Sequence, residues 1–180
     1  MGKKTAVIAV LLIIVGLIIV SLPGQETDTK VTIVILDDFH QASSLTAGET
    51  AHGEIVKKVI KTEVPAVEII PYSVADNKGG IDKQLYFAGL RQVAKYSKEQ
   101  AERQIIVNVS LSFFNNDSQH HQLIKQLSRR GVKIVAAAGN DDSERPVYPA
   151  GYQEVTAVAN ANQTEKLANS NYGAYVDLAA

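Results

Sequence analysis

Asp37, His52 and Asn140 are the residues whose types and positions could carry chemistry. Asp37 and Asp38 follow directly on an apolar run at 31–36, and His52 opens a helical pattern with Gly53 behind it. Asn140 lies three residues past a β-branched run, within Gly131-Val-Lys-Ile-Val-Ala-Ala-Ala-Gly-Asn-Asp141. A carboxylate beside an imidazole selects its tautomer, steadies the ring and stabilises the imidazolium, while the imidazole shuttles a nucleophile's proton. An asparagine past a strand end can aim its side-chain N–H at developing negative charge, as an oxyanion hole requires. Each residue also has a plain structural role open to it. A strand-end aspartate commonly begins a turn, with Asp38 reading as a loop residue, and a helix-start histidine commonly caps or lies on the surface. Gly139-Asn140 suits an ordinary tight turn, because both residues tolerate φ > 0. The three together at one edge of a sheet favour the chemical reading.

The elements that must position them are legible as two alternating patterns. Near-continuous apolar runs at 31–36, 67–72, 105–110, 132–137 and 155–159, with a further one at 175–178, read as strands buried on both faces of a parallel sheet. Between them, 52–63, 81–96 and 120–130 carry apolar residues at helical spacing, for instance Ile55, Val56, Val59 and Ile60, or Leu85, Ala88, Leu90 and Val93. Strand and helix in alternation predict an α/β, doubly wound, mainly parallel sheet with helices on both faces, whose ligands sit at the carboxyl ends of the strands. Residues 76–80, Asp-Asn-Lys-Gly-Gly, read as a turn, and the sequence holds no internal repeat or low-complexity tract.

The 180 residues, 46% hydrophobic and 21% charged, fit one globular domain plus a targeting element. A net charge of −1 with no cluster of Lys/Arg among aromatics argues against nucleic acid as a partner. No cysteine is present, which excludes disulfides, thiolate metal sites and a cysteine nucleophile. Lys3 and Lys4 precede an uncharged run over residues 5–22. Eighteen helical residues cover about 27 Å, close to the roughly 30 Å hydrocarbon core of a bilayer. Leu22 and Pro23 spoil a signal-cleavage pattern, so residues 1–24 are expected to form an uncleaved signal-anchor, a transmembrane helix with its lysines in the cytoplasm. Cleavage, which would secrete the chain, and a buried core helix remain the alternatives. Residues 25–30 then form a linker, and the domain at 31–180 lies outside the cytoplasm.

The ordered motifs carry a resemblance. Ile-Leu-Asp-Asp-Phe around Asp37, His-Gly-Glu-Ile-Val from His52, Asn-Val-Ser-Leu-Ser around Ser110 and Val-Ala-Ala-Ala-Gly-Asn-Asp around Asn140 follow in the order in which the subtilase family of serine proteases carries its Asp, His-Gly, Ser-Leu-Gly and Ala-Ala-Gly-Asn motifs. Downstream, Val-Tyr-Pro-Ala-Gly-Tyr at 147–152 and Asn-Tyr-Gly-Ala-Tyr-Val-Asp-Leu-Ala-Ala at 171–180 extend the likeness over residues 31–180. The resemblance implies peptide-bond hydrolysis with Asp37 and His52 as triad members and Asn140 as oxyanion donor. It also implies that Ser110, Leu111 and Ser112 line the peptide-binding cleft with Gly139, by backbone pairing of the β-augmentation type. Ser110 is thus a substrate-binding residue and not the nucleophile.

Departures from the family pattern are informative. Asp-Asp-Phe replaces Asp-Ser/Thr-Gly, Glu54 follows Gly53 where Thr or Ser is common, and Ser112 stands for a glycine. The short Asp37 to His52 interval suggests a trimmed loop, which would alter a structural calcium site; no redox cofactor is implied and no metal ligand set is identified. Gly-Thr-Ser-x-Ala, which carries the nucleophile in the family, occurs nowhere in the 180 residues. The leading expectation is therefore a fragment of a membrane-anchored, extracytoplasmic subtilisin-like endopeptidase acting on a peptide or protein substrate, inert by itself and poorly folded. A non-catalytic pseudoprotease that binds peptides or a partner is the second, and an unrelated module binding Mg²⁺ at Asp37 and Asp38 the third.

Overall fold

The computed structural model describes residues 30–39, 50–161 and 165–179. The expected membrane segment at 5–22 and all of the linker but Lys30 lie outside the described residues, among which no helix is long and apolar enough to cross a membrane. The elements run β1 (Val31–Asp37), α1 (His52–Glu63), β2 (Glu68–Ser73), α2 (Lys83–Glu99), β3 (Gln104–Val109), α3 (Ser118–Ser128), β4 (Lys133–Ala137), β5 (Thr156–Ala159) and β6 (Leu178–Ala179). The six strands among the described residues pair in parallel in the order β2-β1-β3-β4-β5-β6. A row of partners, Leu36 with Val109, Val109 with Ala136 and Ala136 with Ala157, marks the carboxyl edge. Asp37 and Ser110 each follow that row by one residue, and Asn140 by four.

Successive strand residues point to opposite faces, and each face has its own core. Val34, Leu36, Val107, Val109, Ile134 and Ala136 pack with Tyr86, Phe87, Leu90 and Val93 of α2 and with Ile124 and Leu127 of α3. Ile33, Ile35, Ile106, Val135 and Val158 share the other cluster with Val56 and Ile60 of α1. The expected α/β architecture, with helices on both faces of a parallel sheet, is what the chain adopts.

The boundaries moved where side chains compete for backbone N–H groups. Helix α2 starts at Lys83 and not at Ile81, because the Asp82 carboxylate accepts from the amides of Gln84 and Leu85, and Ile81 instead bridges to Ala75. Helix α3 starts two residues early because Asp117 caps the His120 amide. The turn at 76–80 is held as expected by Asp76, whose Oδ1 accepts from Lys78 and Gly80. Burial on both faces fails for β2. It is the edge strand, with Glu68 and Pro71 exposed, and a proline, which cannot donate to a ladder, is tolerated there. The last strand, expected at 175–178, starts only at Leu178 and runs to Ala179, because the Val176 amide closes a turn onto the Gly173 carbonyl.

Candidate active site

Asp37 ends β1 with 3% of its surface exposed, and His52 is the first residue of α1. The His52 Nδ1 lies 2.9 Å from both carboxylate oxygens of Asp37. The Asp38 amide donates to the same carboxylate at 2.7 Å, so the aspartate is oriented before the imidazole meets it. A carboxylate can only accept from the ring, which puts the proton on Nδ1 and leaves Nε2 with its lone pair. The His52 side chain keeps 21% of its surface exposed, so it remains partly open to solvent.

Gly53 explains how the two residues meet. Its amide donates to the Asp38 carbonyl at 2.7 Å. A Cβ at position 53 would stand 2.7 Å from that oxygen and 2.8 Å from the Phe39 ring. The start of α1 is therefore pressed against the exit of β1, and only a residue without a side chain fits. The close neighbour of Gly53 is thus the chain's own Asp38-Phe39.

The expected cleft segment leaves the carboxyl end of β3 beside the aspartate. Ser110 is half-buried, and its Oγ accepts from Asn108 Nδ2 at 3.1 Å. Leu111 turns into the core at 9% exposure, while Ser112 is exposed. Among the described residues, no backbone hydrogen bond engages Leu111 or Ser112. Phe113 ends the segment in a two-way backbone bridge to Tyr148, with bonds of 2.7 and 2.8 Å. The Tyr-Pro-Ala stretch thus anchors the far end of the strip whose polar backbone is left open.

Asn140 is exposed, in the loop that follows β4 at the same edge. Gly139 before it is buried and has φ of +111°, and the positive φ falls there and not on Asn140. Gly139 presents its hydrogen-only side inward, where a Cβ would strike Asn171 Nδ2 and stand 3.2 Å from Val147. Two features escaped the sequence reading: Asn171, whose motif was noticed but given no role, and the contact of Gly53 with Phe39. Nothing in a linear pattern marks either, since both are contacts between segments. Among the described residues, no group of three or more His, Cys, Asp or Glu side chains could hold a metal ion. Both Asp37 oxygens face His52, which is poor provision for the Mg²⁺ alternative.

The model of the subtilase family matches residues 38–180, starting one residue after Asp37. Minor extracellular protease Epr of Bacillus subtilis (strain 168) is 33% identical over 118 residues, covering 64% of this chain and 17% of that protein. Thermitase of Thermoactinomyces vulgaris is 32% identical over 117 residues, covering 64% of this chain and 40% of its own. Halolysin of Haloferax mediterranei reaches 52% identity over 48 residues, 26% of this chain and 9% of halolysin. The chain therefore spans less than half the length of each of these relatives.

Proposed function

The chain belongs to the subtilase family, and we propose that it supplies the aspartate, histidine and oxyanion asparagine of a serine endopeptidase whose nucleophile lies outside these 180 residues. The observation that carries this reading is the contact of His52 Nδ1 with both oxygens of Asp37. In the proposed cycle His52 Nε2 takes the proton of a serine hydroxyl as its oxygen adds to the scissile carbonyl. Asp37 holds the imidazolium that results, and Asn140 donates to the oxyanion. Collapse of the tetrahedral intermediate expels the amine, which takes the proton from His52, and water repeats the sequence on the acyl-enzyme. An extended peptide would add to the open backbone at Leu111 and Ser112, between Ser110 and the bridge at Phe113, with Gly139 bordering the opposite loop.

No cofactor enters this chemistry. The apolar run at 5–22 would anchor the domain to a membrane with the catalytic part outside the cytoplasm, in keeping with the word extracellular in the name of one relative.

The test is the native gene product. Its coding region is sequenced past residue 180, its intact mass measured, and the protein treated with a serine-directed fluorophosphonate. We expect a longer product containing Gly-Thr-Ser-x-Ala that labels, with labelling lost in His52→Ala. A native product without that serine, unlabelled but binding peptides, would overturn the enzyme reading in favour of a pseudoprotease.

A further inference from the structure

We propose that Asn171 is a positioning residue for Asn140, fixing the chain on both sides of it and thereby the direction in which its amide points. The inference rests on the reading of Asn140 as oxyanion donor, but its geometric part stands apart from that reading.

The loop at 140–142 is exposed throughout, so burial gives it no fixed course. What gives it one is a residue thirty positions away in sequence and fully buried. The Asn171 amide donates to the carbonyl of Gly139 at 3.0 Å, immediately before Asn140. Its Oδ1 accepts from the amide of Asp141 at 2.7 Å, immediately after Asn140, and from that of Ser143 at 3.3 Å. Two amide donors on Oδ1 fix which way the side chain is turned. The missing Cβ of Gly139 completes the fit, because any side chain there would strike the Asn171 amide. One residue therefore clamps the peptide groups on either side of Asn140. Neighbouring bonds, from the Asp142 amide to Asn169 O at 3.2 Å and from the Tyr172 amide to Ser143 O at 3.1 Å, extend the same seam.

An oxyanion donor lowers a barrier only if it is already aimed when charge develops, so the residue that aims it acts on the reaction without touching substrate. The choice of asparagine follows from the same electrostatics. A leucine of similar size has no acceptor for the two amides. An aspartate would accept both bonds, but would set a negative charge beside the place where another must form.

The measurement is amide hydrogen exchange in the full 180-residue chain held in detergent micelles. In the wild type, the Asp141 and Ser143 amides should be protected although their loop is exposed. Exchange there at the rate of an unstructured peptide would overturn the proposal whatever the variants do. Asn171→Leu should lose protection at both amides by roughly tenfold or more while Asn171→Asp keeps it, since only the aspartate retains the acceptor. Equal protection in both variants would overturn it as well.

The link to Asn140 is tested in a nucleophile-bearing product. There Asn171→Leu should lower kcat with little change in KM, and should have no further effect once Asn140 is alanine. Additive losses would overturn the link. If no catalytic product exists, the reading of the chain as an enzyme fails while the exchange result still decides the clamp.

Discussion

Two histidines begin helices at the carboxyl edge of this sheet, and their surroundings give them opposite chemistry. His52 is first in α1, partly exposed, and faced by a carboxylate whose two oxygens both lie 2.9 Å from its Nδ1. His120 is third in α3 and wholly buried. Its Nε2 lies 2.9 Å from the Tyr86 hydroxyl, and the rings of Tyr86, Phe113 and Tyr152 meet it edge-on at 5.2, 5.9 and 5.1 Å. Burial pushes its pKa down from 6.5 to about 4, the charges of Lys83 and His121 adding to this and that of Asp117 opposing it. Asp117 is committed elsewhere, to Lys83 at 2.7 Å and to the cap of α3, and its own carboxyl is held below the usual range chiefly by the Lys83 bond. An imidazole with a facing carboxylate can carry a proton. The same ring among aromatics is a neutral wall, and this one supports Phe113 at the end of the strip proposed to bind peptide.

The comparison breaks first at His52. In a nucleophile-bearing product, His52→Ala should cost about 10⁶ in kcat and Asp37→Ala about 10⁴, the losses measured for the corresponding members of the subtilisin triad. His120→Phe should cost far less, and steady-state kinetics on the three variants read the difference directly. A loss at His120 as large as that at His52 would erase the distinction.

Acid sharpens the contrast through stability. The unfolded chain protonates His120 near pH 6.5 and the folded chain near 4, so the unfolded state holds more protons between those values. The stabilisation is therefore complete above about pH 6.5 and lost as pH falls toward 4, a change on the order of 3 kcal/mol. Denaturant melts at both pH values should show this dependence in the wild type and a flatter one in His120→Phe.

Gly53→Ala should follow, at about 1–3 kcal/mol for forcing a methyl group into the Asp38 carbonyl and Phe39 ring. The same change should spread the Asp37 to His52 contact, read as loss of the downfield Nδ1 proton resonance. The smallest effect should come from Asp82→Ala, about 1 kcal/mol for the lost cap of α2, with the contact of Asp37 and His52 undisturbed. A melting curve serves for both variants.

Much of this was legible in the chain itself. The strands of the sheet interior and helix α1 stand close to where the apolar pattern put them, because burial on two faces leaves few polar residues, such as Thr32 and Asn108, to blur a strand and a one-sided stripe leaves α1 a clear period. The pattern failed where single side chains intervene. Asp82 and Asp117 set their helix starts by capping, and β2 carries an interior-like sequence at a sheet edge because Ile69 and Ile70 still lean on the two cores. Asp37, His52 and Asn140 could be selected by type and by position at strand and helix ends, while His120 and Asn171 could not be told from surface residues.

By itself, then, the sequence determined the alternation of strands and helices, the family's motif order and the identity of the residues able to move a proton or meet a negative charge. Those are properties of local periodicity and side-chain chemistry. Only the tertiary structure decided that Asp37 faces His52, that Gly53 and Gly139 are glycines for the sake of Asp38, Phe39 and Asn171, and that one histidine is paired and the other walled in. Each of these is a contact between segments distant in sequence, and burial, pairing and reach arise only when the sheet brings those segments together.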